Sequence, residues 1–257
     1  MNISAINVYP IKSLRGSALE EALVCSYGLE HDRRWMLVDP AARMITQREC
    51  PRIATLTPSV EAGALRVTVP GHDDILVPLD ATSWTNNEVV VDVWGHSYVG
   101  VAAAATINQA LSEAIGMQCQ LLSIRADVFR TKHDVAFHDD SPILIISESS
   151  LEELNQRLAV PLPMNRFRPN IVVRDASPFD EDGWQRIAIG DAAFRAINRV
   201  SAASSRRLTR RQELPAVPSR SPLWPSFAAR MKESPSGSTT GPNRQLRRLD
   251  SAIQLPC

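Results

Sequence analysis

The chain has 257 residues, 44% of them hydrophobic, with 28 basic side chains against 28 acidic ones. That length buries a sizeable core in one large domain or two modest ones, and no apolar run approaches membrane-spanning length, so a membrane span is excluded. The N-terminus MNISAINVYPIKS carries neither a basic leader nor a continuous apolar stretch, which makes the cytoplasm the expected compartment. Cys25, Cys50, Cys119 and Cys257 have neither metal-site spacing nor the density of a disulfide scaffold.

In chain order, NISAINVY alternates apolar and polar residues as a half-buried strand does, and Pro10 closes it. RWMLVD, ALRVTV, DILVPL and EVVVDVW follow at short intervals, separated by turn residues such as Pro70-Gly71-His72-Asp73-Asp74. This rhythm predicts a small barrel or sandwich. A helix fits residues 104–116, with Ile107, Ala110, Leu111, Ala114 and Ile115 on one face and Gly116 as its stop. CQLLSI and PILIIS read as strands. SSLEELNQRL reads as a helix opened by a capping box from Ser149 to Glu152, with Leu151, Leu154 and Leu158 on its inner stripe. PNIVV and RIAIGDAAFRAI return to strand. After Arg199 the pattern stops: the last 58 residues carry ten Lys or Arg against three acids, leaving 18 basic against 25 acidic residues before them. This stretch, rich in Ser and Pro, shows no alternation or helical face and predicts a basic tail without a core.

Phosphate loops, dinucleotide fingerprints, zinc-protease helices and serine elbows are missing from the sequence. Polar residues instead gather at strand ends: Lys12 and Ser13 after YPI, Asp32, Arg33 and Arg34 before WMLV, Asp139, Asp140 and Ser141 before PILIIS, and Arg168, Pro169 and Asn170 before IVV. Ammonium, guanidinium and hydroxyl groups placed where strands leave a barrel can converge on an anion. Ordinary solvated turn residues have the same pattern, and spacing alone does not separate the two readings.

Taken together and in order, YPIKS, GLEHDRRWMLVD, ITQRE, FHDDSPILIISESSLEELN, MNRFRPNIVV, PFDEDGW and IAIGDAAFR resemble the MOSC family, in its two-part type with an N-terminal MOSC β-barrel domain, to which the amidoxime-reducing components belong. The resemblance runs from residue 1 to about Arg199. It implies a β-rich α+β fold: an N-terminal β-barrel-like domain over 1–120, an incomplete MOSC β-barrel domain with a few helices over 121–199, and a tail over 200–257. It further implies a pterin-based molybdenum cofactor (Mo-molybdopterin) bound between the two parts. The phosphate of the pterin falls to Lys12, Ser13 and Arg33, and the inner positions to Asp139, Ser141, Arg168 and Asn170. Asp140 departs from the small hydroxyl residue expected there, and for Arg168 a buried ion pair, for instance with Asp139, is the competing reading. The implied reaction is reduction of N-hydroxylated compounds, with electrons from an external ferredoxin- or flavin-type reductase. A non-catalytic cofactor carrier and an inactive truncated product are the alternatives.

The family's metal-ligating cysteine is expected in a segment resembling C-x-R-C-V-I-T-T-V-D-P-x-T-G, where this chain reads VSAASSRRLTRRQE and Ala203 holds the aligned place. Read from the third base of each codon, the same nucleotides permit C-Q-R-C-V-I-T-T-V-D-P-A-T-G from Arg199 onward, with a cysteine at position 203. A second stretch, SPLWPSFAARMKESPSGSTTGP, likewise permits A-T-L-A-K-L-R-R-K-D-E-G-V-P-F-G-V-N-Y-G-P; Trp224 and Met231, with single codons, force the Ala and Glu that appear there. A one-frame slip near Arg199 is the expectation that follows. It explains the tail's composition without a specific nucleic-acid partner, since RRLTRR lacks the interleaved aromatics of a single-strand binder.

Overall fold

The computed structural model describes residues 1–25, 27–61, 63–124, 136–139, 141–199, 229–233 and 244–246. In chain order its strands begin with β1 (Asn2–Val8), β2 (Ile11–Lys12), β3 (Ser17–Leu19), β4 (Val24–Cys25), β5 (Gly28–Leu29) and β6 (Trp35–Val38). There follow β7 (Thr57–Glu61), β8 (Ala64–Thr68), β9 (Ile75–Pro78), β10 (Trp84–Val93), β11 (His96–Ala103), α1 (Ala105–Ile115) and β12 (Gln120–Ile124). The remainder is β13 (Ile143–Ser147), α2 (Glu148–Asn155), β14 (Ile171–Arg174), β15 (Arg186–Ile189), β16 (Ala192–Arg199), β17 (Ala229–Glu233) and β18 (Arg244–Leu246). The β-rich reading holds, although none of the sheets among the described residues closes into a barrel. No described helix is long and apolar enough to cross a membrane.

The chain divides into two compact units. Unit 2, residues 8–17 and 31–140, contains the five-stranded sheet β10-β11-β12-β6-β2 and the three-stranded sheet β7-β8-β9. WMLV is a continuous apolar run, the signature of a strand covered on both faces. Trp35 and Leu37 join Ile11, Leu65, Val67, Val77, Leu111 and Leu121 in one cluster, whereas Met36 and Val38 face Val91, Val93, Tyr98, Leu122 and Phe137 in another. The helix read over 104–116 is α1: it buries Leu111, Ala114 and Ile115 and ends on Gly116, whose φ of 75° lets its N–H reach the Ser112 carbonyl. The buried thiols Cys50 and Cys119 are free, and both belong to the first cluster.

EVVVDVW is not strand to its end. Val93 pairs with His96, so Trp94 and Gly95 form a two-residue hairpin loop, with φ of 57° and 88°. Two positive φ angles define the primed turn that matches strand twist, a position ordinarily held by Asn, Asp or Gly. The sequence reading names no strand over His96–Ala103, and this stretch pairs with both β10 and β12.

Unit 1, residues 1–7, 18–30 and 141–257, carries an eight-stranded sheet in the order β18-β15-β16-β17-β13-β14-β1-β3. Helix α2 begins two residues before the expected capping box. Ser147 is the N-cap, accepting from the Ser150 N–H, while the Ser149 hydroxyl is spent on the Ala176 carbonyl. The cap is decided by a distant residue: fully buried Glu181 accepts from both the N–H and the hydroxyl of Ser147. Beyond Arg199, the described residues are those of β17 and β18. β17 pairs antiparallel with both β13 and β16, and β18 pairs parallel with β15. Main-chain pairing uses groups that every residue but proline carries, so a tail of unsuitable side-chain pattern can still complete a sheet.

Candidate anion-binding site

In unit 2 the site is built where β2 and β6 lie parallel, Ile11 opposite Trp35 and Lys12 opposite Met36. This register brings the residues before each strand together. Arg33 N–H donates to the Tyr9 carbonyl (2.9 Å), Trp35 N–H to the Pro10 carbonyl (3.1 Å), and Tyr9 N–H to Asp32 Oδ1 (2.8 Å). Asp32 is fully buried and also accepts from the Arg33 guanidinium, which lies 4.6 Å from the centre of the Tyr9 ring. His138 Nδ1 stands 3.8 Å from the same carboxylate.

The third wall comes from residues 136–139. Phe137 is fully buried against Tyr98, with ring centroids 5.7 Å apart, and its N–H donates to the Arg33 carbonyl (2.8 Å). Lys12 Nζ donates to the Phe137 carbonyl (2.7 Å) and to Asp139 Oδ1 (2.5 Å), and Trp94 Nε1–H donates to that same oxygen (2.8 Å). Lys12, Arg33 and Asp139 are therefore brought together. Burial opposes the charge of Arg33, but Asp32, then Tyr9 and Asp139, more than offset it and raise its pKa. Burial likewise opposes ionisation of Asp139, and the Lys12 ammonium, the Trp94 indole N–H and Arg33 reverse that, holding the carboxyl well below the usual range. The Asp139 side chain remains 56% exposed, so water screens these contacts.

Backbone strain marks the same loops. Ser13, His31 and Arg33 have φ of 69°, 63° and 51°, a left-handed conformation uncommon outside glycine. The Ser13 carbonyl is held by Gln47 Nε2 at 2.6 Å. Such residues collect at ligand-binding positions, where surrounding contacts sustain their cost. Gln47 and Trp94 are not among the sequence candidates, and Asp32, which stands among the strand-end residues, gains its part as counter-ion of Arg33 only in the fold; Gln47 does stand within the ITQRE motif, the one signal that pointed to it.

In unit 1, Arg168 is also left-handed, with φ 56°, and follows the turn Met164–Arg166. Asn170 is buried, and its side chain joins two strands: Oδ1 accepts from the Leu144 N–H (3.2 Å) and Nδ2 donates to the Asn7 carbonyl (3.2 Å). The Ser141 hydroxyl is buried with no hydrogen-bond partner among the described residues. Asp140 and Ala203 lie outside those residues, which hold no group of three or more His, Cys, Asp or Glu able to bind a metal ion.

The donor set of unit 2 suits a phosphate: an ammonium and a guanidinium offer charge-assisted hydrogen bonds that survive partial burial. An orphaned hydroxyl such as that of Ser141 suits a polar ligand, because leaving it unpaired costs free energy.

Residues 1–118 match the MOSC N-terminal beta barrel domain family and residues 132–239 the MOSC domain family. The chain is 31% identical over 211 residues to mitochondrial amidoxime-reducing component 1 of Mus musculus, covering 76% of this chain and 62% of that protein. Against mitochondrial amidoxime reducing component 2 of Rattus norvegicus it is 32% identical, covering 76% and 63%. Against the molybdenum cofactor sulfurase of Oryza sativa subsp. japonica it is 29% identical, covering 76% of this chain but 27% of the relative. The chain thus spans less than two thirds of the curated relatives it matches.

Proposed function

The chain belongs to the MOSC family, with an N-terminal MOSC β-barrel domain and a MOSC domain, and we propose that it binds the molybdenum cofactor and reduces N-hydroxylated compounds with electrons from an external reductase. The observation that carries this reading is the meeting of Lys12 and Arg33 beside left-handed Ser13, at strand ends of a chain whose relatives are amidoxime-reducing components and molybdenum cofactor sulfurases. Lys12, Ser13 and Arg33 hold the phosphate of the pterin, with Asp139 beside them. Ser141 and Arg168 take the inner positions, and Asn170 fixes the strand backbones from which they project. When bound, the cofactor supplies the metal at which the N–O oxygen is removed. The protein's part is to grip the phosphate, orient the group and shield it from water.

A metal of this kind calls for a thiolate, and Ala203 stands at the aligned place. The reading therefore includes a one-frame slip near Arg199, in the gene or in its record, which removes the ligand while leaving the clamp. The same substitution favours the second reading, a carrier that holds the pterin without turnover.

Four proteins separate the two: the chain as written, the chain with the frame restored, the restored chain with serine in place of its cysteine at position 203, and the restored chain with Lys12→Ala. Molybdenum content, bound pterin and reduction of a hydroxylaminopurine with a supplied reductase are measured side by side. The restored chain is expected to hold metal and turn over; the chain as written and the serine variant do neither, and Lys12→Ala keeps the metal ligand but retains less cofactor. Full metal content and reduction in the chain bearing Ala203 would overturn the ligand assignment.

A further inference from the structure

Lys12 is already occupied, and by an anion. Asp139 Oδ1 lies 2.5 Å from its ammonium and takes one of the donors that a phosphate oxygen would use. The carboxylate does not rest there by its own ion pair alone, because the Trp94 indole N–H donates to the same oxygen. Trp94 is itself an unusual residue for its place. It occupies a left-handed position at the β10–β11 hairpin tip, with φ 57°, and the residue is 51% exposed. A non-glycine residue costs stability there and a large exposed ring gains little from burial, so the bond to Asp139 is the visible return for both. Gly95 N–H donates to Asp92 Oδ1 (3.0 Å), which fixes the tip that aims the ring.

We propose that Asp139 and Trp94 form a gate on the anion clamp: Trp94 holds the Asp139 carboxylate on Lys12, and an incoming phosphate takes its place, turning the carboxylate and the hairpin tip aside. The gate rests on the reading of Lys12 and Arg33 as a phosphate clamp and adds to it a competitor within the protein. Two anions cannot share one ammonium at hydrogen-bond distance without repulsion, so what binds must offer more than the carboxylate it displaces. A doubly charged phosphate with three terminal oxygens does so, because it can engage Lys12 and the Arg33 guanidinium together. A singly charged carboxylate ligand would only exchange like for like. The gate therefore selects phosphate esters over carboxylates, and Trp94 is a positioning residue in it.

Inorganic phosphate and acetate serve as probes, titrated into the full chain by calorimetry and by tryptophan emission. Asp139→Asn removes the competing charge and is expected to tighten phosphate about tenfold, the size of one screened charge contact. It also lets acetate bind measurably. Trp94→Phe keeps the ring and removes the donor, and tightens phosphate by a smaller factor, about threefold. Lys12→Ala weakens phosphate in every background. If Asp139→Asn or Trp94→Phe leaves phosphate affinity unchanged or lower while Lys12→Ala still weakens it, the gate is wrong and the clamp stands. If Lys12→Ala leaves phosphate affinity unchanged, clamp and gate fail together.

Discussion

Asp32 sits fully buried at the centre of the clamp. Its carboxylate takes the Tyr9 N–H and the Arg33 guanidinium, and it has no solvent exposure, while the Arg33 side chain is 14% exposed. Replacing it by Asn keeps the shape and removes the charge, leaving a buried guanidinium without its counter-ion; breaking such a pair costs about 3 kcal/mol. Asp32→Asn is expected to lower the urea midpoint accordingly, and Asp32→Asn combined with Arg33→Met to recover part of the loss. A single variant as stable as the parent would show that the pair carries no such burden. The cations of this site were legible because Lys12 and Arg33 flank apolar runs that read plainly as strands. The counter-ion of Arg33 and the indole on Asp139 were not. Asp32 looks like any charged turn residue until the parallel register of β2 and β6 sets it against Tyr9, and Trp94 looks like the last residue of a strand until the hairpin is counted.

Helix α2 shows the same dependence among elements. The Leu stripe of SSLEELNQRL announced the helix, and Leu151 and Leu154 are buried with Ile146. Its start was misplaced because the cap is chosen by Glu181, about thirty residues away and invisible to a local pattern. Ser147→Ala removes the cap from the Ser150 N–H and one of the donors to a fully buried carboxylate. A cap is worth about 1 kcal/mol, and an under-bonded buried charge adds about as much again. The variant is therefore expected to lose about 2 kcal/mol in urea unfolding, with Ser147→Thr closer to the parent. Equal losses from Ser149→Ala would return the cap to the position the sequence suggested. Strand β11 lies between β10 and β12 and pairs with both, a placement that no local pattern announces.

At the scale of the whole molecule, the chain crosses between its units, with residues 1–7, 18–30 and 141 onward in one and the intervening segments in the other. Strand rhythm along the sequence carries no mark of such crossings, since each segment satisfies its own alternation wherever it pairs. The division matters for acid stability. Asp39, Asp74, Asp80 and Asp139 all have lowered pKa values, and all four lie in unit 2. Asp39 is held down first by the Arg43 N–H, Asp74 by the Arg66 side chain and Asp80 by the Thr82 hydroxyl. At Asp139 burial pushes upward and Lys12 overcomes it. A carboxyl whose folded pKa lies below its unfolded value of about 3.9 binds fewer protons when folded. Its contribution is thus complete above that value and is lost as pH falls through the folded pKa. The urea midpoint is expected to stay level from pH 7 to about pH 5 and to fall steadily below about pH 4, as the unfolded carboxyls take up protons first. Trp35 and Trp84, packed in the unit 2 core, report the change by their emission. Asp139→Asn cannot titrate at that position, so it starts lower at pH 6, falls less steeply, and is approached by the parent only as pH falls toward the strongly lowered folded pKa of Asp139. Parallel curves for the two proteins across the whole range would mean that the Lys12–Asp139 contact contributes nothing to folding, and that its place in the clamp is maintained for the ligand alone.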